Sequence, residues 1–344
     1  MSDLYIDETI EMGSDNQRGN LLGIQPYMLA SDYASAQEVL DKLDGYFAAA
    51  QAHGWLQEKT IVVLPENLGA WLVVAGERAG VYAAENIQAA MRVLALSHLL
   101  QFGRAFLGCR ESNRAAAALF RIKAGAMAHD YQYIFTHLAK AYAVTIVAGS
   151  ILLPQPSVVN GMLVAGRGPL QNITAVFGPD GALAPQLSRK VYPVVAELSF
   201  ISGARIEDLP IFETPAGRLG VLVCADSWYP GPYQRLRQLG PDLLAVPSLL
   251  SHGNWQQPWG GYNGAPAPQD VDPSDVGKLT EGEAWRKYAL PGRIGLSGAR
   301  AGINVFLHGA MWDAGDESAA TMAVCGDHFR ATTSPRAALV NLWL

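Results

Sequence analysis

Residues 220–230 read GVLVCADSWYP, an apolar, β-branched run that stops at Cys224 and continues into Ala225-Asp226. An unbroken run of this kind suits a buried strand. Cys224 then lies at the strand's carboxyl end, where open α/β sheets collect ligands. Outward from this point the same grammar recurs. Residues 60–64 (TIVVL) make a second run, ended by Pro65 and followed by Glu66. Residues 144–149 (VTIVAG), 243–247 (LLAVP) and 303–307 (INVFL) read as further core strands, with 21–26 before them. Residues 321–325 and 338–342 complete the set.

Between the strands lie helical patterns. Ala36, Val39, Leu40, Leu43, Phe47 and Ala50 recur at helical spacing, as do Tyr131, Ile134, Leu138 and Ala141 ahead of VTIVAG. Gly178-Pro179-Asp180-Gly181 is a turn between strands. Strands and helices mixed throughout, with no clean linker, predict one α/β domain over residues 21–344. Residues 1–20 are acidic, without the basic and apolar regions of a signal peptide, and read as an exposed arm. Two segments interrupt the rhythm: an Ala-rich helical insert at about 75–128, and a Gly-, Pro- and Trp-rich loop excursion at about 252–293.

Composition excludes several function classes. With half its 344 residues apolar and 16% charged, the chain can bury a large core and is not a disordered segment. A net charge of −6 and no Lys/Arg-rich run argue against a nucleic-acid partner or an anionic membrane. The apolar helical stretch at 93–103 is too short to span a bilayer. Three cysteines, odd in number and far apart, suit the reduced thiols of a soluble cytoplasmic enzyme better than a disulfide framework. The scattered histidines follow no H-E-x-x-H or paired C-x-x-C spacing, so neither a metal nor another cofactor is expected.

Three reactive side chains follow apolar runs: Glu66 in LPEN, Lys190 in SRKVYPVVAE and Cys224 in GVLVCADSWYP. Singly, each has an ordinary structural reading: a helix-capping neighbour, a surface lysine, a small buried thiol. In this order, the strings resemble the Glu–Lys–Cys signature of the nitrilase superfamily of carbon–nitrogen hydrolases. Glu197 matches a second glutamate that the family carries after its lysine. NITAVFGPDG and LGPDLLAVPS echo two further family segments, so the resemblance covers most of residues 20–344. It implies a four-layer α-β-β-α sandwich, at least a homodimer, and catalytic roles for Glu66, Lys190, Cys224 and Glu197.

The chemistry implied is thiol catalysis. A free thiol titrates near 8.5, so its use as a nucleophile calls for a base or a positive charge nearby. Glu66 would take the proton and return it to the departing amine. Lys190 would favour thiolate and, with the Ala225 N–H, stabilise the oxyanion. Glu66 and Glu197 would keep the buried lysine paired, since an unpaired interior charge costs on the order of several kcal/mol. Cys-Ala-Asp at 224–226 leans toward an amide or N-carbamoyl substrate over a nitrile. A nitrilase, an acyltransferase on the same fold and a non-catalytic binding protein are the alternatives.

Substrate contacts are sought at Ala225, Trp228, Tyr229, His252 and Trp255, with Trp259, Tyr262 and Trp285 as possible pocket walls. The alternative is a loop pinned by its own aromatics. Arg293 and Arg300 are candidate anchors for an anionic group. Trp228-Tyr229 occupies a region where many amide-hydrolysing members carry an arginine, which puts recognition of a carboxylate there in doubt. The gap from Glu66 to Lys190 exceeds the family norm because of the 75–128 insert. That insert is a cap, an oligomer interface or a peripheral helical pair. Its Met91, Val93, Leu94, Leu96, Leu99, Leu100 and Phe102 call for burial against something. Cys325 also ends an apolar run, ahead of Asp327-His328, but no acid or lysine pattern accompanies it; Cys109 reads as structural.

Overall fold

All five side chains of the strand Thr60–Leu64 are buried, and they alternate between two cores. Ile61 and Val63 join one apolar cluster with Val221, Ala245 and Ile303; Val62 and Leu64 join another with Phe47, Ile134 and Leu138. A strand buried on both faces must lie between two other layers. The computed structural model, which describes residues 5–250, 255–262, 264–313 and 317–344, supplies them.

One six-stranded sheet runs in the order Ile6–Met12, Ala337–Trp343, Asn20–Gln25, Thr60–Leu64, Thr145–Ala148 and Val176–Phe177. The second runs Ile211–Thr214, Gly217–Val221, Leu243–Ser248, Ala301–Phe306, Met322–Cys325 and His328–Ala331. Side chains from both sheets share the inner cluster, where each fully buried Val, Leu or Ile contributes about 1.5–3 kcal/mol. At Gly23 the sheets pack closely, since a Cβ there would lie 2.6 Å from Ile303 Cδ1. Helices Ala36–Ala52 and Arg114–Tyr142 cover the outer face of the first sheet. Pro230–Leu239 and Leu290–Arg293 cover the second through Tyr233, Leu236 and Leu290. The architecture is the four-layer α-β-β-α sandwich.

Three local expectations need correction. Residues 6–12 are not a free arm: they pair in parallel with Ala337–Trp343 as an edge strand. Their inward side chains alternate with exposed Asp7, Thr9 and Glu11, and only the acidic composition disguised that period of two. The helical insert has no boundary at 128. Its last helix runs unbroken from Arg114 to Tyr142, capped by the Asn113 side chain and ended by Ala143 at φ 51°. Within that insert Leu94 is buried, but Leu96, Leu99 and Leu100 remain exposed on this chain. The 252–293 excursion contains a helix, Glu281–Tyr288, started by a Thr280/Glu283 capping box.

Candidate active site

Glu66, Lys190 and Cys224 come from three different strand ends. Glu66 follows Thr60–Leu64 and Pro65. Asn67, at φ 60°, turns the chain there and donates its N–H to Ser150 Oγ at 2.8 Å. Gly149 lets the neighbouring strand end reach this turn, because any Cβ at that position would meet the Pro65 carbonyl oxygen at 2.3 Å. Lys190 follows the short strand Ser188–Arg189 and donates its backbone N–H to Asn172 O at 2.9 Å. Beyond Gly217–Val221, Leu222 continues the ladder by donating to Ala245 O at 3.0 Å, and Cys224 begins a tight turn at φ 49°.

The side chains converge in a buried cluster. Lys190 Nζ lies 2.7 Å from Glu66 Oε1 and 2.7 Å from Glu197 Oε2. Lys190, Glu66 and Cys224 are all buried. Asn172 Nδ2 also donates to Glu66 Oε1 at 2.9 Å, and to Glu197 Oε1 at 3.4 Å. Two carboxylates are therefore tied together by one ammonium and one amide. Glu197 is fixed in turn by the Val194 N–H, which donates to its Oε2 at 2.8 Å. Cys224 Sγ donates to Leu249 O at 3.6 Å, just past the strand Leu243–Ser248.

Burial sets the proton affinities. It pushes the Glu66 carboxyl up, against the pull of Lys190 and with a further push from Glu197. Burial alone would lower Lys190, but Glu66 and Glu197 outweigh it and hold the ammonium charged. Burial and the Glu66 charge raise the Cys224 thiol well above its ordinary value, and Lys190 offsets only part of this.

Asn172 was not singled out in the sequence, although it opens the NITAVFGPDG segment. Its signal is a carboxamide at a fully covered strand position, 1% exposed. Asp226, two residues after Cys224, is fully buried. The Ala225 N–H makes no hydrogen bond within the described chain.

The proposed substrate contacts divide. The Trp228 ring packs against Trp285 (centroids 4.9 Å apart), Trp259 (5.7 Å) and Tyr262 (5.8 Å), while Trp255 lies edge-on to Phe306 at 5.5 Å. These aromatics pin the excursion to the second sheet in one buried cluster that includes Cys224. Tyr229 stacks on Tyr192 at 3.9 Å, and both rings are partly exposed. His252 lies outside the described residues. Neither arginine anchor is available. Arg293 is buried against Asp270 and the Tyr288 carbonyl, and Arg300 pairs with Asp242 before Ala301–Phe306, at the far end of the sheet from Cys224. A cavity of about 900 Å³ opens between the helical insert, residues 166–169 and residues 198–202.

A family model described as carbon–nitrogen hydrolase matches residues 37–266. The chain belongs to the carbon–nitrogen hydrolase family. Among solved structures it is similar to a carbon–nitrogen hydrolase from Helicobacter pylori G27, with 16% identity and a TM-score of 0.56 over 94% of this chain and 88% of the other. It is also similar to an amidase of the nitrilase superfamily from Nesterenkonia AN1, with 14% identity and a TM-score of 0.55 over 96% and 93%. At these identities the likeness establishes the fold. A curated deaminated glutathione amidase from Yersinia enterocolitica is 38% identical over 53 residues, which span 15% of this chain and 18% of that protein. Among the described residues no helix is long and apolar enough to cross a membrane.

Proposed function

We propose that this protein hydrolyses a non-peptide carbon–nitrogen bond, in an amide or N-carbamoyl substrate, through a thioester on Cys224. One observation carries the reading: Lys190 Nζ sits 2.7 Å from both Glu66 and Glu197 in a buried site beside a free thiol. Burying three charges together is expensive, and a purely structural core would do better with apolar residues. Perturbed titrating groups gathered at strand ends favour catalysis.

The roles follow from the donors and acceptors. Glu66 Oε1 already accepts from Lys190 and Asn172, which leaves Oε2 to take the Cys224 proton. As that proton leaves, Sγ bonds to the substrate carbonyl carbon and the carbonyl π pair moves onto oxygen. An ammonium has three N–H donors. Two serve Glu66 and Glu197, so the third Lys190 donor and the unpaired Ala225 N–H can hold the oxyanion. Glu66 then protonates the nitrogen, the C–N bond breaks, and ammonia or an amine departs from the thioester. Water, deprotonated by Glu66, adds to the thioester. Collapse expels sulfur, which regains its proton, and releases the acid.

The structures of relatives support the class of substrate. The Nesterenkonia amidase has been described with acrylamide added at its active-site cysteine and, in a cysteine variant, in complex with butyramide. The exposed Leu96, Leu99, Leu100 and Leu107 support self-association, which sedimentation measures directly. The deciding assay is ammonia release from amides, N-carbamoyl amino acids and nitriles, with Cys224→Ala beside the wild type. Release by wild type alone from an amide or carbamoyl compound supports the reading. Release from nitriles only, or equal release by both proteins, overturns it.

A further inference from the structure

Asp226 has no exposed surface, and every hydrogen-bond partner of its carboxylate is a backbone N–H. Oδ1 accepts from Val191 N at 2.9 Å and from Tyr192 N at 2.7 Å; Oδ2 accepts from Val223 N at 3.3 Å. Val191 and Tyr192 immediately follow Lys190. Val223 immediately precedes Cys224. A single carboxylate therefore joins the lysine segment to the cysteine turn.

We propose that ionised Asp226 is a positioning residue that holds Lys190 and Cys224 in register, and that a proton on it releases that hold. The kinetic part of this inference rests on the hydrolase reading; the chemical and exchange parts below do not.

Two other contacts join the segments, Ser188 Oγ donating to Val221 O at 2.8 Å and the Tyr192–Tyr229 stack, but neither bonds a residue next to Cys224. Residues 191 and 192 lie beyond the short strand that ends at Arg189, outside any ladder. Cys224 keeps a left-handed backbone, a conformation that side-chain-bearing residues retain only when their surroundings impose it. Ser227 Oγ helps by donating to Cys224 O at 2.7 Å, but it belongs to the same turn and fixes nothing relative to Lys190. Asp226 bonds the neighbours of Lys190 and of Cys224 at once.

Its protonation state decides whether the span works. An ionised carboxylate is acceptor-only and can receive all three N–H groups. A protonated one must place an O–H among partners that are all donors, so at least one of the three bonds is lost. Complete burial pushes the Asp226 carboxyl up to about 7, despite the Tyr192 N–H, the Lys190 charge and the Val191 and Val223 N–H groups. Tyr192, Tyr229 and Tyr233 also face it, and burial pushes all three phenols up, so they stay neutral near pH 7. Lys190 is the charge it meets. Above about 7 the hold is complete, and it is lost as pH falls through that value. Glu66 is raised as well, so a pH profile of wild type alone does not separate the two carboxyls.

Asp226→Asn separates them. The amide has the same shape but turns one oxygen into a donor, a permanent counterpart of the protonated state. Three measurements are made from pH 5.5 to 9: kcat and KM for the amide that wild type hydrolyses, alkylation of Cys224 by iodoacetamide, and amide hydrogen exchange of wild type at Val191, Tyr192 and Val223. At pH 8 the variant loses about 100-fold in kcat, as expected for a small misplacement, with KM within about threefold. Its acid limb near 7 disappears from both turnover and alkylation. In wild type, protection of the three amides, corrected for intrinsic rates, falls between pH 8 and 6. An unchanged acid limb in Asp226→Asn, or kcat within about threefold of wild type, overturns the inference. If the variant does not fold, pH-independent protection of the three amides in wild type overturns it instead. If wild type hydrolyses nothing, the hydrolase reading has failed, and alkylation and exchange still judge Asp226.

Discussion

Cys224 and Cys325 each close an apolar run in the same sheet, yet only Cys224 meets a lysine. The strand Gly217–Val221 runs parallel to Leu243–Ser248, which runs parallel to Ala301–Phe306. Met322–Cys325 runs the other way, so Cys325 pairs with Ala301 at the sheet's opposite edge. There it is half-buried beside Gly326, and His328 across the hairpin is exposed. Cys224 instead reaches the edge where the Glu66 and Lys190 strand ends from the other half of the molecule arrive. Local sequence places a thiol at the end of a strand; strand direction decides which neighbours that end has.

Substitutions can break this contrast or sharpen it. Cys224→Ala should abolish ammonia release, a loss of at least about 1,000-fold in kcat, since the bond-forming atom is gone. Glu66→Gln should cost about 100- to 10,000-fold in kcat, because the amide can neither accept the thiol proton nor return it. Asn172→Leu should cost roughly 10-fold in kcat, with a lower melting temperature, since two carboxylates lose a shared donor; an unchanged kcat would show that Lys190 alone holds them. Cys325→Ala is the control and should stay within about twofold. Thiol modification sharpens the same contrast. Iodoacetamide should reach half-exposed Cys325 first at pH 7.5, while the Cys224 rate climbs with pH well beyond the ordinary thiol range, because its proton is held more tightly. Mass spectrometry of the labelled peptides separates the two.

The aromatic excursion teaches a related lesson. Trp255, Trp259, Tyr262 and Trp285 suggest a pocket wall when read along the chain, but in three dimensions they pack on one another, on Trp228 and on Phe306. Composition announced that this segment buries something. It could not tell whether the buried thing is a substrate or the segment itself, because both bury the same apolar area. The Glu281–Tyr288 helix was hidden for a similar reason: it is short and polar outside Ala284, Trp285 and Tyr288, and its Thr280/Glu283 cap stands amid turn residues.

Much of the rest was legible. Runs such as TIVVL and LLAVP announce strands buried on both faces, because a two-sided apolar environment leaves no polar alternation to read. Three reactive residues at the ends of such runs, in the order glutamate, lysine, cysteine, identified the family and the candidate centre. Sequence alone could do this because strand ends and residue chemistry are local properties. What the tertiary structure decided is everything set by distance across the chain. That includes the edge strand at 6–12, which needs Ala337–Trp343 beside it, and Asn172, whose importance exists only between Glu66 and Glu197. It includes the upward push on the Cys224 thiol, which comes from burial and from Glu66 outweighing Lys190.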